Sequence, residues 1–333
     1  MANKTPHVTL GQYKGLAVTR HVRPVLDRTV DQEVTHRCRL HAYYTPTEGP
    51  AKRGDKVTFD SEGFRDGQPI PDSRTEKATI VLGTGKLTPA IERAFYGHNA
   101  GDHFEVEVTY PQDFQVPELS GVTAQFSIRL HAIAEKHIPA ADEDFARSRG
   151  FDSLEAMKVQ IRKEKQAIHE TAADRKAGRD LLDMAGANLT VDLPEKQVAA
   201  EARREYQQLE EKLKKSGIPM DAYCKSCRTT PEGLHASFRK NAEKRLRSVL
   251  AAKAISEAEG IVAHTDEVNA EYRRLAAQHN APEAEIRKVL SPDAVAAALV
   301  AQKVEAFLLA NAQVTSVTDP APRTAAQTSA KEV

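Results

Sequence analysis

The sequence predicts an α+β fold, in which a small antiparallel sheet with one short helix is joined to a longer, mainly helical part. Between residues 56 and 131 apolar and polar side chains alternate with a period of two, around an Asp66-Gly67 pair that is a strong hairpin signal. After Pro139 the apolar residues recur every three or four positions almost to the end. At 333 residues the chain is long enough for two or three domains.

The first fifty residues predict a strand followed by a helix. Residues 7–24 alternate apolar and polar side chains, which is typical of extended chain. A helix is predicted from Asp27 to Tyr44, because apolar residues return there at helical spacing. Glycine, proline and lysine are frequent in residues 46–54, which indicates a linker.

The sheet is predicted to contain four strands and one short helix. The strands begin at Lys56 and cover Thr79–Leu82, Phe104–Thr109 and Ala124–His131, and the helix covers Pro89–Tyr96. So many short strands around one helix favour a compact antiparallel α+β domain.

Long helices dominate the second half. They are predicted from Ser153, over Glu195–Lys215, and over residues 231–259, 265–279, 282–290 and 291–311. The last begins at Ser291-Pro292-Asp293, which supplies a capping side chain, a first-turn proline and an acid at the positive end of the dipole. The tail, residues 316–333, is rich in alanine, threonine, proline and serine and is predicted to be disordered.

Composition narrows the class of protein. Basic and acidic residues both number 47, so the basic excess of a nucleic-acid-binding protein is absent. No apolar run approaches the roughly 20 residues of a membrane span, and the first six residues lack the apolar core of a secretory signal. We therefore expect a cytoplasmic protein with reduced cysteines and without nucleic-acid or membrane partners.

Several blocks resemble the FKBP-type prolyl isomerase domain in the form found in the trigger factor family. These are "VLGTGKLTPAIE" at 81–92, "GHNAGD" at 97–102, "FEVEVTYPQDF" at 104–114 and "AQFSIRL" at 124–130. The segments at 137–164 and 181–206 are similar to that family's helical chaperone domain. The resemblance covers residues 7 to 313 and implies an FKBP-like sheet joined to an arm-like helical chaperone domain.

The resemblance also implies domain limits. Residues 1–50 form a linker strand and helix that pack with the chaperone domain, 51–135 the FKBP-like domain, and 136–315 the chaperone domain. The family's N-terminal ribosome-docking domain has no counterpart, so ribosome binding is not expected. A near copy of its docking motif at 63–69, "GFRDGQP", lacks the lysine and falls on the hairpin turn that the isomerase domain needs.

The family's pocket can be carried over position by position. Ile91, Phe114 and Phe126 match its aromatic positions, Leu87 fits an apolar one, and Thr88 replaces an isoleucine. Ser61, Ile70 and Ala78 stand where the family has aromatic rings, and Pro71 where it has an acid. By this resemblance Leu87, Thr88, Ile91, Phe114 and Phe126 would be catalytic, Ile70 and Ala78 would contact substrate, and the lost rings would weaken any activity.

The resemblance therefore implies a folding factor that binds unfolded or nascent polypeptide and has a weak prolyl isomerase activity, with no cofactor. A non-catalytic binding chaperone with a degenerate pocket is an alternative. A third hypothesis is a holdase that responds to redox state or zinc through Cys224-Lys225-Ser226-Cys227. Zinc would need two more ligands, so the simpler interpretation of these residues is a loop between helices, with no metal site.

Overall fold

The computed structural model describes residues 8–112 and 120–320 and confirms the α+β fold class. The strands are β1 (Ala17–Val22), β2 (Tyr43–Pro46), β3 (Lys56–Arg65), β4 (Gln68–Pro69), β5 (Thr75–Val81), β6 (His103–Thr109), β7 (Thr123–His137) and β8 (Gln313–Thr318). The helices are α1 (Asp27–Leu40), α2 (Pro89–Phe95), α3 (Glu143–Ser148), α4 (Leu154–Ala187), α5 (Glu195–Lys215), α6 (Met220–Ser226), α7 (Pro231–Glu259), α8 (Thr265–His279), α9 (Glu283–Val289) and α10 (Pro292–Ala310).

The chain divides into two compact units. The sheet unit is Leu26–Arg162, and the helical unit combines the chain up to Val25 with the chain from Lys163 onward. The strand β1 thus lies in the helical unit and the helix α1 in the sheet unit. The domain limits at 50, 135 and 315 stay a prediction.

The sheet unit is built around the long strand β7. It pairs antiparallel with β2, β3 and β6, while β4 and β5 pair with β3. The predicted turn is present: Asp66 and Gly67 have φ angles of 51° and 78°, as a two-residue hairpin with positive φ requires. The predicted helix from Asp27 to Tyr44 is shorter, because Tyr43–Pro46 pairs with β7 instead.

One face of this sheet carries the core of the unit. Its buried side chains include Val57, Phe59, Leu82, Phe95, Ile128 and Leu130. The rings of Phe59 and Phe104 meet the edge of Phe95 at centroid distances of 4.9 and 5.5 Å. The short helix α2 is therefore fixed against the sheet by aromatic packing, which in turn fixes the position of its first turn.

The helical unit holds a second core where α4, α7 and α10 pack together. Leu181, Ala251, Ile255, Val304 and Leu308 are buried there. Parallel pairing of β1 with β8 adds a two-stranded sheet that the sequence patterns did not predict. Among the described residues, no helix is long and apolar enough to cross a membrane.

Local signals place the helix ends of this unit. The Ser291 and Thr230 side chains accept from the backbone N–H groups of Ala294 and Gly233, as capping residues do. Gly260 closes α7 in the left-handed conformation. The segment that contains Cys224 was predicted to be a loop, but the structure shows the helix α6 there. Cys224 lies in the last turn of α6, and Cys227 is its C-terminal cap.

Candidate functional site

The start of α2 positions the first predicted pocket residues. Thr88 caps the helix, since its hydroxyl accepts from the backbone N–H of Ile91 at 3.5 Å, and Pro89 occupies the first helical position. This turn directs Ile91 into the sheet core, where it is buried. Thr88 therefore has a structural role that the sequence comparison did not assign to it.

Four more predicted residues converge on the same core. Leu87, Phe126, Ile70 and Ala78 are half-buried and pack against the cluster that contains Ile91. They come from four separate segments of chain, so only the tertiary fold brings them together. Phe114 lies outside the described residues.

The ring of Phe126 packs on the strand opposite it. Gly63 is its partner in the β3–β7 register, and a Cβ on Gly63 would meet the ring at 2.9 Å. The absence of a side chain at Gly63 is what lets the ring approach β3 this closely. Sequence reasoning missed Gly63 as a site residue, although a glycine inside a strand is a signal for such a close approach.

The loop after β4 is fastened beside this contact. The Ser73 hydroxyl donates to the carbonyl of Ile70 at 2.7 Å and accepts from the N–H of Gly63 at 3.1 Å, and the N–H of Ile70 donates to the carbonyl of Gly63 at 2.8 Å. These bonds hold Ile70 at the edge of the apolar cluster.

Two wall positions contribute no ring. In the strand registers Ser61 faces Ile128 of β7, and Ala78 faces Phe59 of β3. Ser61 also borders a polar hollow of about 440 Å³ with Asp60, Glu62 and other charged side chains. On this side the apolar face is therefore bordered by charged groups.

Tyrosine hydroxyls border the apolar cluster. The Tyr96 hydroxyl donates to Glu92 at 2.8 Å, and burial together with this carboxylate raises the pKa of Tyr96. Burial also raises the pKa of Tyr110. Both side chains therefore stay protonated and neutral at neutral pH.

The helical unit has two neighbouring hollows of its own. One, of about 600 Å³, is lined by Arg175, Arg179 and Arg274 together with apolar residues of α10 that include Ala301 and Leu309. The second, of about 430 Å³, shares Arg175 and Arg179 and includes the exposed side chain of Ile168. Both hollows thus mix apolar surface with cationic groups.

Two of the charged residues that line the larger hollow form ion pairs. Asp174 pairs with Arg20, and Arg274 forms a forked pair with Glu271 at 2.6 and 2.7 Å. Burial raises the pKa of Glu305, although the charge of Arg179 acts in the opposite direction. Sequence reasoning did not single out these residues; the only available signal was two arginines four positions apart on one helix.

The cysteines contribute no metal centre among the described residues, since no group of three or more His, Cys, Asp or Glu side chains has ligand geometry there. Cys224 is buried, Cys227 is exposed, and Cys38 is buried in the sheet unit.

Comparison with known proteins places these features in a family context. Residues 47–131 match the family model of FKBP-type peptidyl-prolyl cis-trans isomerases, and residues 153–310 match that of the bacterial trigger factor protein C-terminus. The trigger factor of Streptococcus suis (strain 05ZYH33) is 35% identical over 292 residues, which are 86% of this chain and 68% of that protein. The trigger factor of Caldicellulosiruptor bescii is 30% identical over 315 residues, 93% and 72% respectively.

A solved structure shows the same fold. It is reported as "Promiscuous Substrate Recognition in Folding and Assembly Activities of the Trigger Factor Chaperone" and aligns with a TM-score of 0.52 over 92% of this chain and 73% of that one. At 18% identity the likeness concerns the fold alone.

Proposed function

Because this chain belongs to the trigger factor family, we propose that it binds unfolded polypeptide and weakly catalyses cis–trans isomerisation of X–Pro bonds on the apolar face of its sheet unit. Family membership supports the chaperone role. The proposed site comprises Leu87, Thr88, Ile91, Phe114 and Phe126, with Ile70 and Ala78 as substrate contacts.

Isomerisation requires no nucleophile and no bond cleavage. The barrier of about 18–20 kcal/mol is the amide resonance that is lost as the peptide twists. A face that removes water from the amide stabilises the twisted form relative to the planar forms, because the twisted amide is less polar and loses less hydration. Half-buried apolar side chains supply such a surface without needing an acid or a base.

The observation that carries the proposal is the convergence of Leu87, Phe126, Ile70 and Ala78 on the cluster around Ile91. These side chains retain exposed surface, so a proline ring has apolar groups to contact. Phe126 supplies the aromatic surface, and Gly63 lets it lie against the sheet.

The missing aromatic rings determine how strong an isomerase activity we expect. An aromatic side chain buries about 150–250 Å². Serine, isoleucine and alanine at positions 61, 70 and 78 offer much less, so the proline is less fully desolvated. We therefore expect acceleration that is measurable but lower than that of relatives with rings at these positions.

A refolding assay tests the proposal. The substrate is a protein whose slow refolding phase is limited by one proline bond, measured with and without the full chain. Faster refolding in proportion to the concentration of the chain supports catalysis. Unchanged refolding together with suppressed aggregation rules out catalysis and leaves the binding function.

That second outcome defines the alternative, a non-catalytic binding chaperone. The two hollows of the helical unit favour it, because exposed apolar surface next to long, cationic arginine side chains suits varied polypeptide segments. Binding of a permanently unfolded polypeptide, followed by fluorescence anisotropy, measures this function independently of any proline. The cytoplasm remains our predicted location.

A further inference from the structure

The last turn of α6 contains two thiols on neighbouring positions of one helical face. Cys224 lies within the helix and Cys227 caps it, and the backbone N–H of Cys227 donates to the carbonyl of Tyr223 at 3.0 Å. Helical geometry up to the cap places the two α-carbons about 5 Å apart. That separation lies within the window of roughly 4.4–6.8 Å that disulfides occupy.

A disulfide requires the β-carbons of the two cysteines to be closer than they are on a regular helix, and the helix ends at Cys227. On a regular helix, β-carbons three positions apart are about 5–6 Å from each other, whereas a disulfide needs roughly 3.5–4.5 Å. Arg228 has a φ of 51° and ends the helix, and the N–H of Thr229 turns back to the carbonyl of Cys224 at 3.0 Å. The helix therefore does not continue past Cys227, and a disulfide would require this hydrogen-bonded turn to shift so that the two β-carbons approach each other.

The two thiols differ in access, which assigns their roles. Cys227 is exposed and Cys224 is buried, with 3% of its surface accessible. A hydrogen bond with Cys227 is the main cause that raises the pKa of Tyr223. An oxidant from solvent therefore reaches the exposed Cys227 before the buried Cys224.

We propose that Cys224 and Cys227 form a reversible disulfide within the chain when the protein reacts with hydrogen peroxide. The Cys227 thiolate attacks one peroxide oxygen, so the O–O bond breaks, an S–O bond forms and the first water leaves. The Cys224 sulfur then displaces the oxygen from Cys227, forming the S–S bond as the second water leaves. Two thiols lose two electrons and two protons, and one hydrogen peroxide becomes two waters.

Cys38 serves as an internal reference. It is buried in the sheet unit, and burial raises the pKa of its thiol, so it stays protonated and unreactive. The sequence has three cysteines, and the proposed reaction consumes two of them.

The test uses the full chain, reduced and then exposed to hydrogen peroxide, unfolded, and alkylated with N-ethylmaleimide. Alkylated thiols are expected to fall from three to one per chain, that one being Cys38, with peptide mapping placing the link between Cys224 and Cys227. Dithiothreitol should restore all three. Three alkylated thiols after peroxide, or links between separate chains, would overturn the proposal.

Single variants separate the two roles. In Cys224→Ser a sulfenic acid should persist on Cys227 and react with dimedone, whereas in Cys227→Ser the buried Cys224 should remain a thiol. Cys38→Ser should form the disulfide as the unmodified chain does. If the unmodified chain accumulates as much dimedone adduct as Cys224→Ser, Cys224 does not resolve the sulfenic acid and the proposal fails. Should a variant not fold, the count of alkylated thiols in the unmodified chain still tests the proposal.

Discussion

The ring of Phe126 rests on the α-carbon of Gly63, so closely that a β-carbon on this glycine would lie 2.9 Å from Cε1 and 3.3 Å from Cζ of the ring. The same added atom would lie 3.2 Å from the β-carbon of Ser73, in the loop that carries Ile70. This glycine therefore determines both the position of the one described aromatic residue predicted for the pocket and the place of a neighbouring wall segment.

Gly63→Ala is expected to destabilise the protein by about 1–3 kcal/mol, because the new methyl group must displace the ring or strain the strand. In a Phe126→Ala background the same substitution should cost less, since only the contact with Ser73 remains. Urea unfolding of both single variants and the double variant measures the coupling. Costs that add within about 0.5 kcal/mol would contradict the contact.

Leu87→Ser is expected to lower kcat/KM for prolyl isomerisation about tenfold or more. The reason is that apolar contact with one leucine contributes about 1.5–3 kcal/mol, and each 1.4 kcal/mol corresponds to a factor of ten. Leu40→Ser is the matched control, since Leu40 is 68% exposed at the end of α1. Equal activity of the two variants would remove Leu87 from the site.

The "GHNAGD" turn at 97–102 should contribute a pH-dependent part of the stability. The Asp102 carboxylate accepts from the N–H of Asn99 at 2.8 Å and lies 3.1 Å from the His98 ring, and these two contacts lower its pKa in that order. Because the pKa is depressed in the folded state, this stabilisation is present above the unfolded value of about 3.9 and is lost as the pH falls through the folded pKa.

Asp102→Asn should therefore be less stable than the unmodified chain at neutral pH, with a difference that shrinks below about pH 4. Urea midpoints across this range measure it. Asp66→Asn is the control, because Asp66 is 92% exposed in a turn whose positive φ asparagine also tolerates. A difference for Asp102→Asn that is constant with pH would show that charge is not its cause.

Glu305 should give the stability a pH dependence opposite in sign to that of Asp102. Burial raises its pKa, so the folded state binds a proton more readily than the unfolded state, and stability falls as the pH rises from the unfolded value through the folded one. Glu305→Gln is expected to be more stable than the unmodified chain at pH 7 and similar to it at low pH. Thermal unfolding at both pH values checks this, and a destabilised variant at pH 7 would mean that the attraction to Arg179 outweighs burial.

The crossing of α4 and α7 should depend on Gly186. A β-carbon there would lie 3.0–3.2 Å from backbone atoms of Arg247 and Ser248, which cannot rotate away. Gly186→Ala is therefore expected to lose about 1–3 kcal/mol, although alanine ordinarily favours a helix over glycine by about 1 kcal/mol. Gly233→Ala is the control, because its nearest atom is the Thr229 hydroxyl oxygen, the end of a side chain that can turn away; a stabilised Gly186→Ala would contradict the close approach.

Local chemistry explains why much of the fold could be predicted from sequence. The Asp66-Gly67 hairpin, the Ser291 cap and the bounds of α5, α7 and α8 depend on residues close to one another in the chain, and all are present as predicted. In contrast, β8 becomes a strand because β1 lies beside it, although nearly three hundred residues separate them. Similarly, Tyr43 and Tyr44 do not belong to the helix predicted for them, because they pair with β7 instead.

The candidate site likewise combines features that the sequence determines with features that only the tertiary structure decides. The sequence alone determined the turn that begins α2, the class of domain, and which of the carried-over positions lack rings, since these depend on residue identity and short-range geometry. Only the tertiary structure decided that Phe126 lies on Gly63, that Ile70 is tied to the same strand, and that Cys224 and Cys227 share the end of a helix with one thiol buried. Contacts between distant segments depend on packing, and packing is decided by the excluded volume of side chains that no single stretch of sequence contains.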